Sequence, residues 1–302
     1  TTEIYPLSLH DALPIYLVRA DGTGGVRVPG APPVSPFPAE SQFALPSWSW
    51  DGTKLAYRSL DFGVSTERPT LRVVDLTTGA FEVVEHGLGR ITSIAWGPDD
   101  ESLFVTGSIV PTDRGDIFQV FFDGSPTVNT TSTPTLGEQA ISFARPDLAV
   151  YQVTEGTDQF VTVWDLCSDA RTRETQRDER VDGRPSLDWS GGRLVYTRLG
   201  PADEEGNPTA EVVLFERNIE SPTRTVIGGS QMKDAALSSD GAFAVYVEGS
   251  VPNDIFLLLR LLPDPSDPTD ATRRVTSDAL GEVLPVISRG ESDALTPWFT
   301  AE

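Results

Sequence analysis

Six copies of one pattern, spaced 46 to 50 residues apart, limit what this 302-residue chain can fold into more than any other feature. Each copy is a short apolar strand ending in an aromatic or aliphatic residue, then a Ser/Gly/Asp turn, then an alternating strand. The copies are centred on Pro46-Ser-Trp48-Ser-Trp-Asp51-Gly52, Ile94-Ala-Trp96-Gly-Pro-Asp99-Asp100, Ile141-Ser-Phe143, Leu187-Asp-Trp189-Ser190, Ala235-Ala-Leu237-Ser-Ser-Asp240-Gly241 and Pro285-Val-Ile287. With anchors at Trp48, Trp96, Phe143, Trp189, Leu237 and Ile287, the intervals are 48, 47, 46, 48 and 50. Such a unit buries its apolar face only against its neighbours.

Within a unit, residues such as Leu55 and Tyr57 alternate with smaller or polar ones, the period of a β-strand. A second turn recurs at Asp75-Leu-Thr-Thr-Gly79, Phe122-Asp-Gly124 and Trp164-Asp-Leu-Cys-Ser-Asp169. Asp bonds its own backbone in such turns and Gly takes positive φ. Four strands and four connections fill the period, which predicts an all-β chain of four-stranded antiparallel propeller blades. Tyr16-Leu-Val-Arg-Ala-Asp21-Gly22 copies the outer strands of a unit, and the stretch from Val283 to Phe299 copies the inner ones. These halves are expected to pair as a sixth blade and close the ring, which removes exposed sheet edges.

The Ser-x-Asp-Gly turn after an aromatic or aliphatic residue, with the Asp75–Gly79 turn behind it, resembles the WD40-like repeat of TolB-like six-bladed propellers over about residues 15–300. The chain departs from that repeat at Gly97-Pro-Asp-Asp100, Ala144-Arg-Pro-Asp147 and Ser190-Gly-Gly192. The resemblance implies a periplasmic or extracellular, monomeric scaffold with a protein or peptide partner. The wider family also contains propeller parts of peptidases and some lyases. Residues 15–302 are expected to form one propeller domain. Residues 1–14 match no part of the repeat and resemble translated adapter read-through, so they are expected as a non-native or disordered arm.

The charge balance narrows the functional classes. A net charge of -22 and a pI near 4.3 repel phosphate backbones, which excludes a general nucleic-acid binder. The single cysteine, Cys167, permits neither an internal disulfide nor a cysteine zinc site, and His10 and His86 are the only imidazoles. No apolar run approaches the length of a membrane span. No cofactor, metal site or catalytic residue is therefore assigned. Asp264, Asp267 and Asp270 are read as a solvated Pro-rich loop and not a calcium site.

Repetition argues that Asp51, Asp99, Asp147 and Asp240 cap turns, and that Trp48, Trp96 and Trp189 are inter-blade core. Trp50 and Trp298 break the pattern and are ligand candidates. The first strand of each blade lines the pore. Counting back from the anchors gives Asp188, Asp234, Ser93 and Ser186 as inward polar residues, with Glu138, Arg184, Lys233 and Glu282 nearer the mouth. The partner- or ligand-binding set is thus Glu138, Arg184, Asp188, Lys233, Asp234 and Glu282. The expected function is non-catalytic binding. The alternative is a lyase or glycosidase using pore-mouth carboxylates, which needs two carboxyls about 5–10 Å apart.

Overall fold

The computed structural model describes residues 4–9, 15–19, 26–28, 46–60, 69–175, 180–200, 209–217, 222–227, 232–248, 255–260, 272–274 and 282–283. Among these, every regular element is a β-strand, and the strands form six four-stranded antiparallel sheets. The chain divides into two compact units, residues 1–134 with 282–302, and residues 135–281.

In the first unit, β1 (Ile4–Leu9), β2 (Ile15–Arg19) and β3 (Val26–Arg27) join β24 (Glu282–Val283) in the order β24-β1-β2-β3. The segments from the two ends of the repeat therefore share a sheet, as the split pattern predicts, but they are not neighbours. Ser8 pairs with Val283 on one side and with Ile15 on the other. Part of the stretch expected to lie outside the repeat, Ile4–Leu9, thus occupies the second strand position. Tyr5, Leu7 and Leu9 alternate with Pro6 and Ser8, a pattern compatible with a strand.

The other two sheets of this unit follow in chain order. One is β4 (Ser47–Trp48), β5 (Lys54–Leu60), β6 (Pro69–Asp75) and β7 (Phe81–Val84). The next is β8 (Arg90–Trp96), β9 (Ser102–Ser108), β10 (Asp116–Phe121) and β11 (Val128–Asn129). Ala56, Leu71, Val73 and Val84 of the former pack on Ile91, Ile94, Trp96, Leu103, Val105, Phe118 and Val120 of the latter. Along β9 every residue is buried.

The second unit contains three sheets. They are β12 (Leu136–Arg145), β13 (Leu148–Glu155), β14 (Asp158–Asp165) and β15 (Ala170–Arg173); β16 (Arg180–Leu187), β17 (Arg193–Leu199), β18 (Ala210–Glu216) and β19 (Thr223–Val226); and β20 (Met232–Leu237), β21 (Phe243–Glu248), β22 (Ile255–Arg260) and β23 (Thr272–Arg274). The middle sheet is packed from both sides. Leu187, Leu194, Tyr196 and Val213 meet Val150, Val161 and Val163 of the first sheet, while Val195, Val212 and Leu214 meet Ala235, Leu237, Ala244 and Tyr246 of the third.

The turns between the first two strands of a sheet give the repeat its structural register. Ser49, Gly97, Asp188 and Ser238 each donate their amide to the carbonyl of Lys54, Ser102, Arg193 and Phe243, respectively, at 2.8–3.0 Å. The carbonyls of Ser49, Gly97, Asp188 and Ser238 in turn accept from the amides three residues further on, those of Gly52, Asp100, Gly191 and Gly241. Those four residues have φ of 70°, 54°, 70° and 68°, the left-handed region that favours Gly and tolerates Asp. The residue before each turn is the true anchor. Trp48, Trp96, Leu187 and Leu237 are all buried there, and Phe143 is buried at the equivalent place before a shorter turn, Arg145 pairing with Leu148.

This register corrects one anchor. Trp189 lies two residues past the core position, on the turn, and is 50% exposed. Leu187 fills the core in its place. The reason is an exchange of residue types: Ser49-Trp-Asp51-Gly52 becomes Asp188-Trp-Ser190-Gly191. The hydrogen bond survives the exchange. Ser49 Oγ donates to Asp51 Oδ1 at 2.7 Å, and Ser190 Oγ donates to Asp188 Oδ2 at 2.6 Å. Ile287, Trp298 and residues 264–270 lie outside the described residues.

Candidate functional site

Four of the strands that open a sheet in chain order, the inner strands β8, β12, β16 and β20, share an irregularity a few residues before the anchor. In β8, Ile91 pairs with Gly107 and Ser93 with Thr106, which leaves Thr92 as one extra residue. In β12 the break falls between Gln139 and Ser142, in β16 between Asp182 and Ser186, and in β20 between Lys233 and Ala236. These β-bulges lift the inner strand out of its ladder and re-aim the side chains there. The bulge of β12 contains Ala140 at φ 59°.

The bulges gather several of the sequence-predicted residues. Arg184 lies inside the bulge of β16 and is half-buried. Asp234 lies within that of β20 and Lys233 at its edge. Glu138 precedes the bulge of β12, pairs with Val153 and is buried. Because β16 packs against both β12 and β20, Arg184 stands at the central of three neighbouring bulges. Tyr151 and Tyr196, on the strands beside the first two, are buried. Burial, with the nearby Glu138 charge adding to it, pushes the Tyr151 phenol up to about 12.

The remaining candidates are placed elsewhere. Asp188 is in the turn after β16, where its Oδ1 accepts from Arg193 N at 2.8 Å and its Oδ2 from Ser190. Glu282 pairs through its backbone with Leu9, in the other unit. Ser186 Oγ accepts from Leu237 N at 3.1 Å and so ties β16 to β20. Ser93 Oγ meets Thr106 Oγ1.

Backbone carbonyls beside two of the bulges are met by a polar position that sequence reading overlooked. Three residues beyond the anchor's partner, the second strand of a sheet carries Arg58, Thr106, Gln152 or Thr197. Arg58 Nη1 donates to Ile91 O at 2.6 Å and Gln152 Nε2 to Val181 O at 2.9 Å, each on the next inner strand. Burial lowers the pKa of Arg58. The available signal was a polar residue at one fixed repeat position within otherwise apolar strands.

The turn carboxylates are committed to the fold. Asp51 Oδ1 accepts from Thr53 N, Asp99 Oδ1 from Glu101 N and Asp240 Oδ1 from Ala242 N. Burial alone would raise Asp51, but the hydrogen bonds from Thr53 and Ser49 and the charge of Lys54 hold it low. His86 is committed as well. Its Nδ1 accepts from Leu88 N at 2.9 Å, which leaves Nε2–H to donate to Pro69 O at 2.8 Å. A ring held on the backbone at both nitrogens is a poor base for serine. Trp50, a ligand candidate by sequence, donates its indole N–H to Gly97 O at 2.7 Å and packs on the core of its unit.

Asp100 differs from the other turn carboxylates. It accepts Trp50 N at 2.9 Å, and burial, with Asp51 nearby, raises its pKa. A raised carboxyl pKa means that the folded state binds the proton more tightly. Its ionisation therefore costs nothing below the ordinary value of 3.8 and costs most once pH exceeds the folded pKa. Asp100→Asn keeps one acceptor and tolerates the positive φ. Its stability relative to the parent should rise as pH climbs above about 4, read from urea midpoints between acid and neutral pH. A difference that falls with pH would refute the assignment.

Among the described residues no group of three or more His, Cys, Asp or Glu side chains is placed to hold a metal, and no helix is long and apolar enough to cross a membrane. No family model and no curated protein matches the chain. Solved structures do. TolB of Acinetobacter baumannii superposes with a TM-score of 0.72 at 17% identity, covering 96% of this chain and 67% of that one. A structure of a nidogen/laminin complex gives 0.64 at 13% identity, with 95% and 98% covered. A protein described as TolB from Agrobacterium tumefaciens gives 0.61 at 14% identity, with 94% and 90% covered. The fold is a TolB-like β-propeller.

Proposed function

We propose that the chain is a non-catalytic propeller scaffold acting outside the cytoplasm, which holds a protein or peptide partner at the bulged ends of its inner strands. In this reading the six sheets are the blades of one closed ring, completed where the two ends of the repeat share a sheet. The observation that carries the proposal is the recurrence of the bulge in β12, β16 and β20, with Glu138, Arg184, Lys233 and Asp234 at or beside it. Bulges conserve a local re-aiming of side chains, and here they collect charges of both signs on neighbouring strands. The fold alone does not choose between binding and catalysis, because propellers host both. The engagement of His86 and of the turn aspartates by the backbone favours binding.

The test is charge reversal at the central bulge. Arg184→Glu should abolish stoichiometric capture of a single protein from an envelope or secreted fraction, in a variant whose cooperative melting shows it folded. Turnover of a polysaccharide or peptide substrate that Arg184→Glu eliminates would replace this reading with the lyase or glycosidase one.

A further inference from the structure

Trp189 and Trp50 occupy the same position of the same turn, and the protein treats them differently. In both, the tryptophan amide donates to the next turn, to a side-chain carboxylate in one and to a backbone carbonyl in the other. Trp50 N donates to Asp100 Oδ1 at 2.9 Å, and Trp189 N donates to Ser239 O at 2.7 Å. The Trp50 indole is then seated on the following turn, on the carbonyl of Gly97. Trp189 remains half in solvent. The residue that corresponds to Gly97 in the next sheet is Ser238, whose side chain is bonded to Asp240 Oδ1 at 2.6 Å.

The exposed tryptophan sits on an unusually well-fixed turn. Arg145 Nη1 donates to Trp189 O at 3.3 Å and to Ser190 O at 3.2 Å, while its Nε is held by Asp147 Oδ1 at 2.7 Å. Arg217 Nη1 donates to Gly191 O at 2.5 Å, and its amide donates to Gly192 O at 2.7 Å. Four successive carbonyls of the turn are therefore taken by two arginines from other segments, in addition to the turn's own Asp188–Ser190 bond. No guanidinium supports the Trp50 turn in this way among the described hydrogen bonds. Fixing in advance the backbone that carries an aromatic side chain lowers the ordering cost of binding at it.

The surroundings indicate what kind of ligand. In the second unit, Trp189 and Val226 are the exposed large apolar side chains among the described residues. A protein hot spot sits in a well-packed pocket at the centre of a larger contact patch. The turn that carries Trp189 is instead bonded to polar groups: Ser190 Oγ to Asp188, its carbonyls to Arg145, which also holds Asp147, and its Trp189 amide to Ser239, next to Asp240. A flat apolar face ringed by donors and acceptors matches a pyranose, whose C–H face stacks on an aromatic ring and whose hydroxyls radiate at its edge. We infer that Trp189, on the turn fixed by Arg145 and Arg217, is a stacking platform for a sugar ring of a polysaccharide, a binding site separate from the bulged inner strands.

Affinity electrophoresis of the full chain tests this in native gels cast with xylan, mixed-linkage β-glucan, galactan or polygalacturonate. Retardation is expected in at least one gel. Trp189→Ala should weaken it by at least about tenfold, Trp189→Phe should retain part of it, and both variants should melt like the parent. Arg184→Glu should leave the retardation intact, which separates this site from the partner site proposed above. Absence of retardation in all four gels, or equal retardation of parent and Trp189→Ala, would overturn the inference.

Discussion

Trp96→Ala is expected to cost about 3–5 kcal/mol of stability, while Trp189→Ala is expected to stay within about 0.5 kcal/mol of the parent. Both tryptophans stand in repeats of one pattern, yet they are separated by two residues of structural register. Trp96 is 2% exposed, packs tilted against Phe122 with ring centroids 5.3 Å apart, and donates its indole N–H to Ser47 O at 2.7 Å. Truncation opens a cavity between two sheets and leaves a buried carbonyl without that donor. Trp189 lies on a turn with half its surface in water. Leu187→Ala should carry the loss expected of a core position in that sheet, about 2–5 kcal/mol. Urea midpoints of the three variants decide the matter. A severe Trp189→Ala or a silent Leu187→Ala would restore the register read from spacing alone.

The second large effect is expected from a single methyl group. A Cβ on Gly107 would lie 2.1 Å from the backbone oxygen of Arg90 and 3.2 Å from its carbonyl carbon. Both atoms belong to the paired strand β8, beside the bulge at Thr92, so relief requires moving the strand itself. Gly107→Ala should therefore cost about 3 kcal/mol, the upper end of the range for overpacking. Gly124→Ala is the control. Nothing lies within 4 Å of a Cβ there, and only the left-handed φ of 82° is strained, so the cost should be about 1–2 kcal/mol. Equal losses in the two variants would show that strand β9 can withdraw from β8, and that the bulge is not held by close backbone approach.

The turn chemistry was legible because it is local. Asp75, Asp123 and Asp165 accept from Thr77, Ser125 and Ser168, and Gly79 and Gly124 take positive φ, as Asp and Gly in those positions predict. The four-strand unit was legible for the same reason: alternation within a strand and the spacing between turns are properties of neighbouring residues. The misplacement of Trp189 shows where that reasoning ends. A ruler set on aromatic residues chose Trp189. The better ruler was the positive-φ position, since Gly191 aligns with Gly52, Asp100 and Gly241 and moves the anchor to Leu187.

Of the candidate site, sequence spacing placed Arg184, Lys233 and Asp234 on the inner strands, but not on bulges. A bulge depends on how one strand pairs with another, and the partner of β16 is found only when the sheet forms. The same holds for the hydrogen bonds of Arg58 and Gln152, which reach 33 and 29 residues along the chain to a neighbouring inner strand. By itself, then, the sequence determined the repeat, the strand periodicity and the turn caps, because these rest on contacts a few residues apart. Tertiary structure alone decided the register of each unit, the bulges, the engagement of His86 and the exposure of Trp189. Each of those depends on which atoms a paired strand or a neighbouring sheet brings within hydrogen-bond or van der Waals distance.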